Sequence, residues 1–148
     1  DILSLRASIA GSTLLTKRDA INSINGYNQR YQRHTEWELL LRLAKIGNIS
    51  YVDESLVVRE ITSPPDPEVV EATKKLLFED YASEIRELEE DNVPITAYHR
   101  FSVGKKFVRD GNFAQGMKYL RCGRAVTPID YFELFYALVL GIRGNVGL

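Results

Sequence analysis

The chain has 148 residues, 45% of them hydrophobic and 26% charged, with 19 basic against 20 acidic side chains. That length gives one domain, or a domain with a small appendage, and enough apolar residues for an ordinary core. The near-neutral balance gives no whole-molecule steering toward nucleic acid, whose motifs are also missing, and the single Cys122 excludes an intramolecular disulfide.

One cysteine also fits a reducing compartment. The two histidines, His34 and His99, have no ligand spacing between them, so a metal site built on Cys and His is not expected. The first residues do not read as a secretion signal, and no apolar run reaches the roughly 18 residues a membrane span needs. The chain opens on Asp1 rather than methionine and reads as a processed or excised piece. The expected location is the cytoplasm, with the inner face of a membrane as the alternative.

In chain order, residues 9–16 are short, β-branched and alternating, and predict a strand. Thr16 predicts the start of a short helix, with Asp19 three residues on as in a capping box and Gly26 as its stop. A second helix is predicted over about 36–46, ending at Gly47. The alternation over 49–59 predicts another strand, Tyr51, Asp53 and Ser55 on one side against Val52, Leu56 and Val58. Two strands alone are marginal in water, so they are expected to pair with a sheet outside this chain.

Residues 63–67 carry three prolines within four positions and predict the boundary between 1–62 and 63–148. Asp66 and Pro67 form an N-cap and first-turn pair. One long helix is predicted over 68–90, then three shorter ones over about 95–109, 113–125 and 128–142. The overall expectation is α+β to mostly α, a partial α/β subdomain of two strands and two helices followed by an all-helical extension. Residues 97–130 resemble one tetratricopeptide-type repeat, with Gly104, Phe107, Gly111, Phe113, Leu120 and Pro128 at favoured spacings. A plain helix hairpin accounts for the same pattern. Cys122 falls in the helical pattern and is expected to be a small packed side chain.

The densest segment for chemistry is 26–42, in which a glycine turn and a basic loop lead to a helix that opens on Glu36. A carboxylate at a helix start is held in its charged form by the macrodipole and the free amides, and can take a proton from an attacking hydroxyl. Acidic residues also occur there simply because they stabilise the helix by about 0.3–1 kcal/mol. Thr35 and Glu38 fit a capping box, which assigns Glu38 to helix stability. Arg42, four residues after Glu38, reads as its surface ion-pair partner. Gly26 permits a left-handed turn beside Tyr27, and also an ordinary helix C-cap after Ile24. Arg30 and Arg33 suit an anionic group or a solvated loop, and Trp37 a sugar-stacking face or the core.

Four segments, G-S-T-L-L-T-K-R, I-N-G-Y-N, H-T-E-W-E-L-L-L-R-L and Y-V-D-E-S-L-V-V-R, resemble in order the acceptor half of family 2 glycosyltransferases of the GT-A type. The resemblance covers residues 8–62. It implies an inverting transfer from a nucleotide-sugar donor to an acceptor hydroxyl, with Glu36 as general base and Gly26, Tyr27, Arg33, Trp37 and Arg42 on the substrate side. It also implies a divalent metal, Mg or Mn, in the complete enzyme, and a nucleotide-binding front half outside this chain. There are departures. Asn25-Gly26 stands for a glycine pair, Asn28 for an aspartate, and Thr35-Glu36 for Glu-Asp. The Asp-x-Asp metal segment is absent, and Arg59 is followed by Glu60, Ile61 and Thr62 without the usual histidine ligand. No metal is expected on this chain alone, which is expected to transfer no sugar by itself.

The competing reading is a non-catalytic helical interaction module. A further expectation concerns 131–142, Y-F-E-L-F-Y-A-L-V-L-G-I, which suits either burial against the preceding helices or contact with a membrane surface.

Overall fold

The computed structural model describes residues 2–6, 9–58 and 64–146, with side chains to 143. The chain divides into two units, one made of Ile2 and Ser8–Pro64, the other of Leu3–Ala7 and Pro65–Leu148.

The first unit is built on α1 (Arg18–Ser23) and α2 (Thr35–Ala44). Leu39, Leu40 and Leu43 of α2 are buried, and Ile9, Leu14, Ala20, Ile21 and Ile24 close around them. Each such leucine contributes about 1.5–3 kcal/mol relative to exposure. The α1 helix starts one residue later than expected. Lys17 is its N-cap and makes no side-chain cap bond, so the Thr16–Asp19 capping box does not form. Its end is a Schellman motif. Asn25 and Gly26 both take left-handed backbone, at φ 58° and 68°. The Gly26 amide donates to the Ile21 carbonyl at 2.9 Å and the Asn25 amide to Asn22 at 3.1 Å.

The two expected strands are not there. Among the described residues the fold is all helical, and the α/β subdomain read from the sequence is corrected accordingly. Over 9–16, Gly11–Thr13 closes a single 3-10 turn in which the Thr13 amide and hydroxyl both donate to the Ala10 carbonyl, at 2.9 and 2.7 Å. Residues 49–58 run irregularly with Tyr51, Leu56 and Val58 exposed. Alternation alone does not make a strand, because the backbone groups need a neighbouring ladder. None faces these segments among the described residues. Arg59 to Thr62 lie outside the described residues.

The second unit holds α3 (Pro67–Asp80), α4 (Ala82–Glu90), α5 (Ile95–Arg109), α6 (Phe113–Leu120) and α7 (Ile129–Val146). Asp66 caps α3, its carboxylate accepting from the Glu68 amide at 2.8 Å ahead of Pro67. The single helix expected over 68–90 is two. Buried Tyr81, at φ −120° and ψ 30°, joins α3 to α4 while hydrogen bonds to Leu77 and from Ile85 carry on through the joint. The bend lets both segments pack on α5. Asn92 and Gly111, at φ 63° and 84°, end α4 and α5 with the same six-residue return bond seen after α1.

Small residues set the helix spacing. A Cβ on Gly104 would meet Leu120 at 2.8 Å, and one on Gly116 would meet Val108 at 2.6 Å, so α5 and α6 nearly touch backbones. Gly123 sits equally close to Phe101, at 2.7 Å. Gly141 brings α7 against the Val108 carbonyl and the Phe113 ring. Two details differ from expectation. The α6 helix stops at Leu120, because the chain must turn back to lay Gly123 on Phe101, and Cys122 is therefore exposed rather than packed.

Gly141→Ala should destabilise the second unit by about 1–3 kcal/mol, since the added carbon meets a backbone oxygen that cannot swing aside. Gly47→Ala, with open space around it, should stay within about 0.5 kcal/mol. Urea denaturation midpoints of the two variants check the contrast.

Candidate functional site

The segment from the end of α1 to the first turns of α2 is organised by Arg42. Its Nε and Nη2 donate to the two carboxylate oxygens of Glu38 at 2.6 and 2.7 Å. Its remaining reach is to backbone: Nη1 donates to the Ile24 carbonyl at 2.5 Å and Nη2 to the Gly26 carbonyl at 2.7 Å. One guanidinium thereby closes the C-terminal end of α1 and straps the Asn25–Gly26 turn to α2. Glu38 is buried, with 2% of its surface exposed. The pair is therefore not the surface ion pair expected, and Glu38 does not reach back to Thr35 as a capping box would. The bidentate geometry suits arginine and no other cation.

Glu36 is different. It sits in the first turn of α2, partly exposed, with only the Thr35 hydroxyl donating to it at 3.3 Å. Of the two carboxylates in that turn, one is committed to Arg42 and the other remains open to an incoming group.

The mouth of the helix carries a feature the sequence did not announce. The N-cap is His34, not Thr35, and its backbone is left-handed at φ 54°. Such a conformation is unfavourable for a residue with a Cβ by about 1–2 kcal/mol and concentrates at functional sites. The His34 ring stacks on Trp37, with centroids 4.3 Å apart and planes 28° from parallel. The His34 carbonyl accepts from the Trp37 and Glu38 amides at 3.0 and 3.2 Å, which starts the helix without a side-chain cap. Histidine's tolerance of positive φ is the one signal that could have pointed to it.

Ahead of this, Asn28 makes an Asx turn. Its carbonyl oxygen Oδ1 accepts from the Arg30 amide at 3.1 Å, a role an aspartate fills equally. Tyr31 is buried and anchors the loop, while Tyr27, Arg30 and Arg33 are exposed. Gly26, Tyr27, Trp37 and Arg42 thus belong to one strapped turn-and-helix assembly. Arg33 is on its exposed basic loop. Among the described residues no three His, Cys, Asp or Glu side chains come together in a way that could hold a metal ion. These residues do not fit the divalent metal that the resemblance implies, and no step is assigned to one.

A cleft of about 370 Å³ lies wholly within the other unit, lined by Lys74, Phe78, Thr96, His99, Arg100 and Tyr119. Lys74 is buried and donates to the Ser102 hydroxyl at 3.1 Å. Burial, with Lys106 and Lys105 nearby, pushes its ammonium down to about 7. Tyr119 donates to Glu71, and burial together with that bond pushes the phenol up to about 12. Burial opposes the charge on Glu71, but Lys75 and Tyr119 together outweigh it and hold the carboxyl below its ordinary value. His99 Nε2 lies 2.8 Å from the Leu3 carbonyl, tying the N-terminal segment to α5.

Two outcomes follow. Arg42→Ala leaves a buried carboxylate without its cation, so the first unit should lose about 3–5 kcal/mol, and hydrogen exchange over 18–34 should rise as the turn is released. For Lys74, the unfolded chain keeps its proton up to about pH 10.5 and the folded chain only up to about 7. Stability should therefore rise with pH across that window, the penalty being complete below pH 7. Lys74→Met should flatten this slope in denaturation midpoints measured from pH 6 to 10.

No protein-family model matches the chain, and no curated protein or solved structure matches it. Its own residues carry what the site can do.

Proposed function

We propose that this chain carries the acceptor-side part of an inverting family 2 glycosyltransferase, with Glu36 as the general base. The observation that supports it most is the division of labour in the first turn of α2. Glu38 is buried against Arg42, while Glu36 is partly exposed between His34 and Trp37, whose rings stack. In this reading the acceptor hydroxyl gives its proton to Glu36 as it attacks the anomeric carbon, and the leaving nucleoside diphosphate departs from the opposite face. Trp37 offers an aromatic face to the acceptor ring. Arg42 acts at one remove, holding the Gly26–Tyr27 turn where it can approach the sugar. Arg30 and Arg33 supply positive charge for a phosphate-bearing donor or acceptor.

The donor's nucleotide and its metal are assigned to a segment outside these residues, since the Asp-x-Asp pair of the family is absent here. The four ordered segments over 8–62 support the reading at the level of sequence. It does not depend on the two strands, which are absent among the described residues.

A second reading, a helical interaction module without chemistry, draws its support from the second unit, whose α7 carries large exposed apolar side chains.

The test is Glu36→Gln in the enzyme that contains the donor-binding segment. Sugar transfer should fall by about 10²–10⁴ while donor affinity stays unchanged. Wild-type turnover in that variant removes Glu36 from the mechanism and leaves the interaction module standing.

A further inference from the structure

We propose that the outer face of α7 docks on an anionic lipid surface, lying in the plane of the headgroups. This inference stands apart from the sugar-transfer reading and rests on different residues.

On an α-helix turning about 100° per residue, Phe132, Phe135, Tyr136, Leu138, Val139 and Ile142 share one side of α7. All are exposed, Phe132 at 74%, Phe135 at 69% and Tyr136 at 63%. An apolar stripe of that size on a water-facing surface marks an interaction site. The helix cannot roll to hide it. Its other side is fixed by buried Ala137 and by Gly141, which lies against the Val108 carbonyl where no side chain fits. At its start, Lys105 of α5 bonds both Asp130 and Glu133.

That last contact also decides what covers the face. Asp130 and Glu133 are the only acidic residues of α7, and both are bonded to Lys105, so the three groups together keep one negative charge instead of two. Burial opposes the charge on Asp130, but Lys105 and the Thr127 amide outweigh it and hold the carboxyl below its ordinary value, so it stays a fixed anion within the protein. Between Asp110 and Asp130 the chain has no acidic residue and three cations, Lys118, Arg121 and Arg124, all exposed. Arg124 is placed at the N-terminal end of the face. Its amide donates to Ala97 at 2.9 Å, beside Gly123, which packs on Phe101. The Phe101 ring in turn meets the Tyr131 ring edge-on at 5.6 Å. Exposed Arg143 follows the stripe at its far end. An apolar, aromatic strip with cations at both ends, and with its helix's two acidic residues set off the strip and bonded to Lys105, complements a bilayer with anionic headgroups. The tyrosines suit the headgroup level, where one ring edge is dry and the other wet. No helix among the described residues is long and apolar enough to cross a membrane, so the contact is interfacial.

The purified chain is floated on vesicles of phosphatidylcholine alone and of phosphatidylcholine mixed with phosphatidylglycerol. Flotation with the mixed vesicles only, lost at high salt and abolished by Phe132→Glu with Phe135→Glu, is the expected result. Arg124→Gln with Arg143→Gln leaves the apolar face whole and should weaken partitioning by about fivefold per arginine, with helicity by circular dichroism unchanged in both variants. No flotation with the mixed vesicles, flotation indifferent to lipid charge, or flotation that survives the double glutamate change overturns the proposal. So does a concentration-dependent dimer in sedimentation that the double glutamate change dissolves, since a second copy would then be the cover.

Discussion

Four hydrogen bonds from Arg42 are the constraint on which the candidate site depends. Two go to the buried Glu38 carboxylate and two to the carbonyls of Ile24 and Gly26. Helix ends leave carbonyls without intrahelical donors, and here a side chain from the neighbouring helix supplies them. The cation is needed for the buried carboxylate, and the carboxylate for the cation's orientation. Desolvating such a pair is costly, and a hydrophobic replacement of similar volume can be as stable. What the ion pair adds is a fixed geometry: a left-handed turn, a loop and a helix start are held in register by one planar group.

The second unit is governed by a different rule, close approach of backbones. Gly104, Gly116 and Gly141 remove the carbons that would hold α5, α6 and α7 apart, and the helices close to the limit of contact. The core that results is made by Phe101, Val103, Phe107, Val108 and Ala137. Because α7 is drawn in along a narrow edge of small residues, its bulky side chains are left outside. The same glycine that makes the packing tight makes the outer face apolar, and the exposure of Phe132 and Phe135 is a consequence of how α7 is seated.

Much of this was legible in the sequence, and the reasons are local. Asp66 before Pro67, Gly111 after Arg109 and Gly26 after Ile24 are turn and cap signals whose physics needs only neighbouring residues. Helix positions followed from them. The failures share a cause as well. The strands expected over 9–16 and 49–59 depended on a partner ladder that a period-two pattern cannot reveal. The break at Tyr81 has neither proline nor glycine to mark it, and comes from two segments packing on α5. Cys122 was misplaced because the end of α6 is set by where Gly123 must land. Glu38 looked like a helix cap in sequence because the other partners of Arg42, the Ile24 and Gly26 carbonyls that orient it toward Glu38, lie 18 and 16 residues back along the chain.

The candidate site illustrates how neighbouring residues of one type are given different work. Glu36 and Glu38 are two positions apart, so a helix turning about 100° per residue points them in directions differing by about 200°. One necessarily faces the interior if the other faces out. Glu38 faces Arg42 and is satisfied there. Glu36 faces the helix mouth, where His34 adopts its left-handed backbone and stacks on Trp37. The buried carboxylate fixes the rotation of α2 about its axis, because turning the helix would expose Leu39 and tear Glu38 from the guanidinium. Fixing that rotation also fixes the direction of Glu36. A carboxylate on a helix that cannot turn keeps a fixed direction in a way that an isolated glutamate on a free surface helix does not. The structural ion pair and the open carboxylate are thus coupled through helix geometry alone, without any contact between them.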